Sequence, residues 1–203
     1  MLSLLMVVMA QLPMPELDAP GEFKEVDRGA WGVLSQRAVA GSSFKESRVQ
    51  AEVPLGVARL CESVWKMATS GVTKGVIRHD LLVDEPNLRV IYQQVSYPVV
   101  SKRDYAMTLW RLAAPEGGPC RVRFRVTNER APKLPKGFVR LEKLWGEWLF
   151  EPTRGGGAKV TYRMFSDPAG SLPAFVAHGQ VREKTKFAFE EGMKAARRDA
   201  GVK

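Results

Sequence analysis

The sequence predicts an α+β fold: a curved antiparallel sheet, interrupted by one helix and closed by a second, longer helix at the C-terminus. Three observations carry that prediction. From Gly32 onward, short strand-like runs alternate with turn signals. Over residues 121–128, Arg121, Arg123 and Arg125 alternate strictly with Val122, Phe124 and Val126, the period of a strand with one wet face and one apolar face. Near the end, Ser171 and Pro173 are placed as the cap and first turn of a helix that runs to about Arg198. At 203 residues the chain fits one domain, large enough to wrap a ligand cavity.

The elements follow in order. Residues 1–22 read as a signal-like segment and linker, and residues 23–203 as the domain. Met1 to Ala10 is a short apolar stretch, and Val8-Met9-Ala10 offers small residues where a signal peptidase reads them, although a basic n-region is missing. The reading adopted is export to a periplasmic or extracellular compartment; the alternative is a cytoplasmic protein whose N-terminal extension packs on the domain. Residues 33–40 and 44–53, separated by Gly41-Ser42-Ser43, form a first hairpin. Leu55, Ala58, Cys61, Val64, Trp65 and Met67 then give an amphipathic helix that Gly71 ends. Strands are predicted near residues 74–83, 88–96, 104–112, 121–128, 138–150 and 159–166. Their turns include Asp84-Glu85-Pro86-Asn87 and the hairpin Gly155-Gly156-Gly157. On the closing helix, Leu172, Phe175, Val176, Gly179, Phe187 and Met193 fall on one face together with Glu183 and Glu190. Acids there point to a wet cavity or solvent under part of the helix, or to a kink or early end.

Composition narrows the function classes. With 45% hydrophobic and 26% charged residues, the chain has no apolar run long enough to cross a bilayer. The net charge of +9 attracts anionic partners. The basic residues are scattered and no nucleic-acid motif accompanies them, so no nucleic-acid partner is expected. Solubility is the simplest role of the charge, and transient contact with an anionic membrane surface is the partner it allows. Cys61 and Cys120 have no metal-ligand spacing; Cys61 reads as a small buried hydrophobe, and a bond between the two is left open. His79 and His178 sit in no metal or nucleophile motif. No catalytic residue, metal or cofactor is expected.

A series of short motifs adds a family resemblance. Tyr97-Pro98 with Arg103-Asp104-Tyr105, Lys136-Gly137-Phe138-Val139-Arg140, Gly146-Glu147-Trp148, and Asp167-Pro168-Ala169-Gly170-Ser171-Leu172-Pro173 occur in that order. The chain, from about Gly32 to Arg198, resembles the steroidogenic acute regulatory protein-related lipid transfer (START) family. That resemblance implies a helix-grip fold, in which the sheet wraps around the long C-terminal helix and leaves an internal apolar tunnel. The tunnel lining would then be Val90, Tyr92 and Gln94; Tyr105, Met107 and Leu109; Val122, Phe124 and Val126; Leu141 and Trp148; Tyr162 and Met164; and Phe175 and Val176. Arg103 and Asp104 would be a structural charge pair locking a loop to the next strand. Leu109 stands where sterol-binding relatives carry a basic residue, which argues for a ligand held by shape. The implied function is binding and carriage of a lipid or other hydrophobic small molecule. An enzyme reading, a polyketide aromatase or cyclase using Tyr92, Tyr105 or Tyr162 as proton donor, is the alternative, with a ligand-sensing module as a third.

Overall fold

A computed structural model describes residues 14–71, 75–96, 101–114, 117–168 and 174–201, with the side chains of 174–180 outside that description. Helix α1 is the single turn Pro15–Asp18, followed by strands β1 (Lys24–Gly29), β2 (Gly32–Ala38) and β3 (Lys45–Val53). Helix α2 (Val57–Ser70) leads to β4 (Val76–Glu85), β5 (Leu88–Val95), β6 (Lys102–Ala113) and β7 (Cys120–Val126). After a short 3₁₀ turn come β8 (Phe138–Arg140), β9 (Lys143–Pro152), β10 (Ala158–Asp167) and the long helix α3 (Ala174–Asp199).

Among the described residues, the strands form one sheet in the order β1-β2-β3-β10-β9-β7-β6-β5-β4, with β8 beside β6. Every pairing is antiparallel except β6 with β8. Helices α2 and α3 pack on each other; α2 also lies on β7 and β9, and α3 on β3 and β10. The core sits between them and the sheet. Its members include Leu34, Val49, Leu60, Val64, Trp65, Val122, Trp148, Phe150, Val160 and Phe189.

Several expectations are refined. The predicted strand 138–150 is two strands, because the chain breaks at Leu141 and Glu142 so that β8 can run parallel to β6 where β7 has ended. Strand β1 has no apolar alternation and all its residues are exposed, which is why periodicity missed it. The expected linker is structured from Met14 on. Met14 and Leu17 are buried against Trp145 and Phe165 in a second small core, and the Arg37 guanidinium donates to the Ala19 and Glu16 carbonyls. Residues 1–13, including the signal-like segment, lie outside the described residues, as do Tyr97, Pro98, Ser171, Leu172 and Pro173.

The stripe on α3 also differs. Among the described side chains of α3, Val181, Thr185, Phe189, Met193 and Ala196 are buried, steps of four and three along one ridge. Glu183 and Glu190 are exposed, so the acids fall outside the packed face and indicate no wet core beneath the helix. Between α2 and β7, Cys61 and Cys120 are joined in a disulfide with Cα atoms 6.2 Å apart.

Candidate functional site

The concave face of the sheet, under the helices, is the candidate site. Strand parity fixes what points there. On β6 it is Arg103, Tyr105, Met107 and Leu109, and on β7 it is Cys120, Val122, Phe124 and Val126. Trp148 and Phe150 come from β9, and Val160, Tyr162 and Met164 from β10. Leu141 joins from the break between β8 and β9, held by its N–H on the Asp104 carbonyl and by Asn128 donating to its own carbonyl.

This interior has two ends of different character. At one end Trp148 stacks on Tyr162 at 4.1 Å between ring centroids and on Phe189 at 5.9 Å. Two glycines let the rings come this close. A Cβ at Gly192 would lie 2.8 Å from the Trp148 ring, and one at Gly146 would lie 2.4 Å from the Phe124 ring. Tyr162 is buried so deeply that its phenol is pushed far above the usual tyrosine range. This end is filled.

At the other end the same face stays partly open. Tyr105, Met107, Val126 and Met164 pack against the core yet remain half-buried, forming an apolar surface with access. Polar groups border it. Arg103 is buried and donates to the Pro168 and Ser101 carbonyls, tying β6 to the segment that precedes α3. Lys184 on α3 faces this arginine; burial, and then the Arg103 charge, push its ammonium down to about 8. A row of three polar side chains, His79, Gln93 and Tyr105, crosses β4, β5 and β6 at directly paired positions.

Ten of the predicted lining residues therefore share the concave face: Tyr105, Met107, Leu109, Val122, Phe124, Val126, Leu141, Trp148, Tyr162 and Met164. Val90, Tyr92 and Gln94 do not. Tyr92 pairs with Ala106 and Gln93 with Tyr105, so β5 turns Ile91 and Gln93 inward and sends Tyr92 and Gln94 to the convex side. The strand is apolar on both faces, so alternation alone could not choose between them. Phe175 and Val176 lie on α3, with side chains outside the described residues. From α3, Phe189 and Met193 join the same core, Met193 being on the predicted face.

The predicted Arg103–Asp104 pair is also corrected. Neighbours on a strand point to opposite faces, and Asp104 instead receives both Arg140 donors at 2.8 Å on the convex side. The Tyr92 hydroxyl donates to the same carboxylate at 2.9 Å, and the Gln94 amide donates to the Tyr92 oxygen at 3.0 Å. The two motifs that looked separate in sequence, Arg-Asp and Lys-Gly-x-Val-Arg, thus meet in one buried, bidentate ion pair.

Basic side chains on β5 and β6, away from the open end, serve packing. Arg111 and Arg89 lie over the Trp65 ring, 5.0 and 4.3 Å from its centroid, and Arg111 is tied to Glu62 at 2.8 Å. A separate cavity of about 300 Å³, at the sheet end beside α1, is lined by Glu16, Arg125, Glu142, Lys143, Trp145 and Phe165 among others. Its mixed charges contrast with the apolar interior. Among the described residues there is no cluster of three or more His, Cys, Asp or Glu able to hold a metal, and no helix long and apolar enough to cross a membrane.

A sheet gripping one long helix, with an apolar face between them, defines the helix-grip class. The START domain family model matches residues 32–199, and the chain belongs to that family. It is similar to the crystal structure of a STAR-related lipid transfer protein from Xanthomonas axonopodis, with 26% identity and a TM-score of 0.71 over 87% of this chain and 97% of that one. Human StAR-related lipid transfer protein 5 shares the fold at a TM-score of 0.68 and 16% identity, covering 88% of each chain. An aromatase/cyclase, Zhui of Streptomyces sp. R1128, shares it at 0.51 and 14% identity over 78% of this chain and 98% of that one. A stretch of 46 residues is 41% identical to an uncharacterised protein of Pseudomonas aeruginosa, a match spanning 23% of that protein's length and 23% of this chain.

Proposed function

We propose that this domain takes up one hydrophobic molecule, a lipid, between its sheet and α3 and carries it between membranes. The observation that carries this reading is the half-buried apolar surface of Tyr105, Met107, Val126 and Met164 on a face that elsewhere is packed shut. Such a surface is stable when an apolar guest covers it: a ten-carbon segment contributes about 8 kcal/mol at about 0.8 kcal/mol per CH₂. Family membership and the lipid transfer protein from Xanthomonas axonopodis support the same reading.

The cyclase alternative has less support in the side chains. Of its three candidate proton donors, Tyr92 lies on the convex side, Tyr162 is sealed in the ring stack, and the Tyr105 hydroxyl is engaged with Gln93. Delivery would begin at a membrane surface. The net charge of +9 favours anionic headgroups, and Ile77, Leu81 and Leu82 on the edge strand β4 expose aliphatic surface for shallow insertion. We further infer that the protein works in an oxidising compartment outside the cytoplasm, a reading that the Cys61–Cys120 bond and the apolar Met1–Ala10 stretch support independently.

Mass spectrometry of organic extracts from the natively purified protein tests the carrier reading. The expected result is one lipid class enriched at near-equal molar ratio over an unrelated protein prepared identically, with saturable transfer of that lipid between vesicles. Turnover of an aromatic polyketide precursor, with no bound lipid and no transfer, would overturn it.

A further inference from the structure

We infer that the His79–Gln93–Tyr105 row is a polar anchor for an uncharged oxygen function, a hydroxyl or carbonyl, on an otherwise apolar ligand. The inference rests on the carrier reading above and names the chemical class that its interior selects. The three side chains are directly opposite one another on β4, β5 and β6, on the face that bears Met107 and Val126. They are hydrogen-bonded in one chain. The Tyr105 hydroxyl donates to Gln93 Oε1 at 2.6 Å, and Gln93 Nε2 meets His79 Nδ1 at 3.0 Å.

The chemistry of these groups fixes the direction of the chain. An amide oxygen only accepts, so Tyr105 donates; an amide nitrogen only donates, so His79 Nδ1 accepts and its proton sits on Nε2. Burial lowers the His79 pKa, which agrees with a neutral ring. The row is then uncharged throughout, yet its hydrogen-bonding capacity is not exhausted. His79 Nε2 is buried without a partner among the described residues, and Gln93, 6% exposed, has a second amide N–H to give. The Tyr105 ring is half-buried beside Met107 at the open end of the interior.

A fold that needed only an apolar wall would place Leu or Val at these positions. Burying polar groups with unspent donors costs free energy unless something in the bound state uses them. A ligand oxygen does so without bringing a charge that the row could not neutralise. The cations nearby are differently engaged: Arg103 is committed to the Pro168 and Ser101 carbonyls. A carboxylate ligand would be drawn toward Arg103 and Lys184 instead, which makes the two chemistries separable.

The test is displacement of the dye N-phenyl-1-naphthylamine from the full chain by decan-1-ol, decane and decanoate. Three proteins are compared: wild type, Tyr105→Phe, and the triple variant His79→Leu/Gln93→Leu/Tyr105→Phe. The triple change removes all three members of the row at once, so neither of their mutual hydrogen bonds leaves a stranded partner, and Tyr105→Phe is nearly isosteric, so one folded variant is secured. The expected result is that the preference for decan-1-ol over decane, read as the ratio of their midpoints in each protein, falls by about three- to tenfold in the variants. An unchanged alcohol-to-alkane ratio would overturn the anchor and leave the carrier reading standing. Preference for decanoate, abolished by Lys184→Met but not by the row variants, would overturn it in favour of the cationic pair. Failure of all three probes to displace bound dye, or of the folded wild type to bind dye, would overturn the apolar-interior reading and the anchor with it.

Discussion

At the end of the interior around Trp148, aromatic rings stack at 4.1 to 5.9 Å and glycines clear the space for them; at the end around Met107, residues of the same apolar character stay half-buried beside a polar row. Both ends lie on one continuous sheet face, so hydrophobicity does not distinguish them. What differs is coverage. Helices α2 and α3 settle on β3, β7, β9 and β10, and the packed end carries the domain's stability. The open end retains apolar area that a guest can cover.

Substitutions at the two ends should therefore separate stability from binding. The largest effect belongs to Trp148→Ala, which empties the centre of the stack and should cost about 3–5 kcal/mol in chemical denaturation. Arg140→Met on the convex side should approach that size, about 3–5 kcal/mol, because it leaves the fully buried Asp104 carboxylate without its bidentate partner. An Arg140→Met/Asp104→Leu double variant should recover much of the loss. If the single variant is as stable as wild type, the motif pair is not the clamp described here.

Met107→Ala sits at the open end, where only part of the side chain is out of water. It should cost about 1 kcal/mol or less of stability while weakening dye binding severalfold. A loss of stability equal to that of Trp148→Ala would erase the distinction between the ends. The smallest effect concerns pH. Lys184 has a folded-state pKa of about 8 against 10.5 in the unfolded chain, so the unfolded state binds more protons between those values. Stability contributed by this group should rise as pH increases from about 8 to 10.5, and thermal melts of Lys184→Met should lack that component of the slope. A steeper rise in the variant would contradict the assignment.

Much of the architecture was legible in the residues. The Arg121 to Val126 alternation placed β7 with its correct face inward, and Gly155-Gly156-Gly157 marked the β9–β10 hairpin. The Gly71 stop of α2 was equally plain, since Gly71 takes a φ of 64°, a conformation that side chains disfavour. The site was legible in part. On β5 the inward set was read one residue out of step, because Val90 and Tyr92 are buried on the convex side while Ile91 and Val95 are buried on the concave one. Arg140 as the partner of Asp104 carried no local signal, since 36 residues separate them. Met14 and Leu17 looked like linker because their partners, Trp145 and Phe165, come from strands more than a hundred residues away.

By itself the sequence determined the class of fold, the order of most of its elements and the family, because these rest on periodicity, turn chemistry and motif order, all properties of neighbouring residues. Tertiary structure decided which face of each strand meets the helices, which acid pairs with which arginine, and that the polar groups of His79, Gln93 and Tyr105 form one row. The reason is register: a shift of one residue between paired strands moves every side chain to the opposite face, and only long-range packing selects one register over the other.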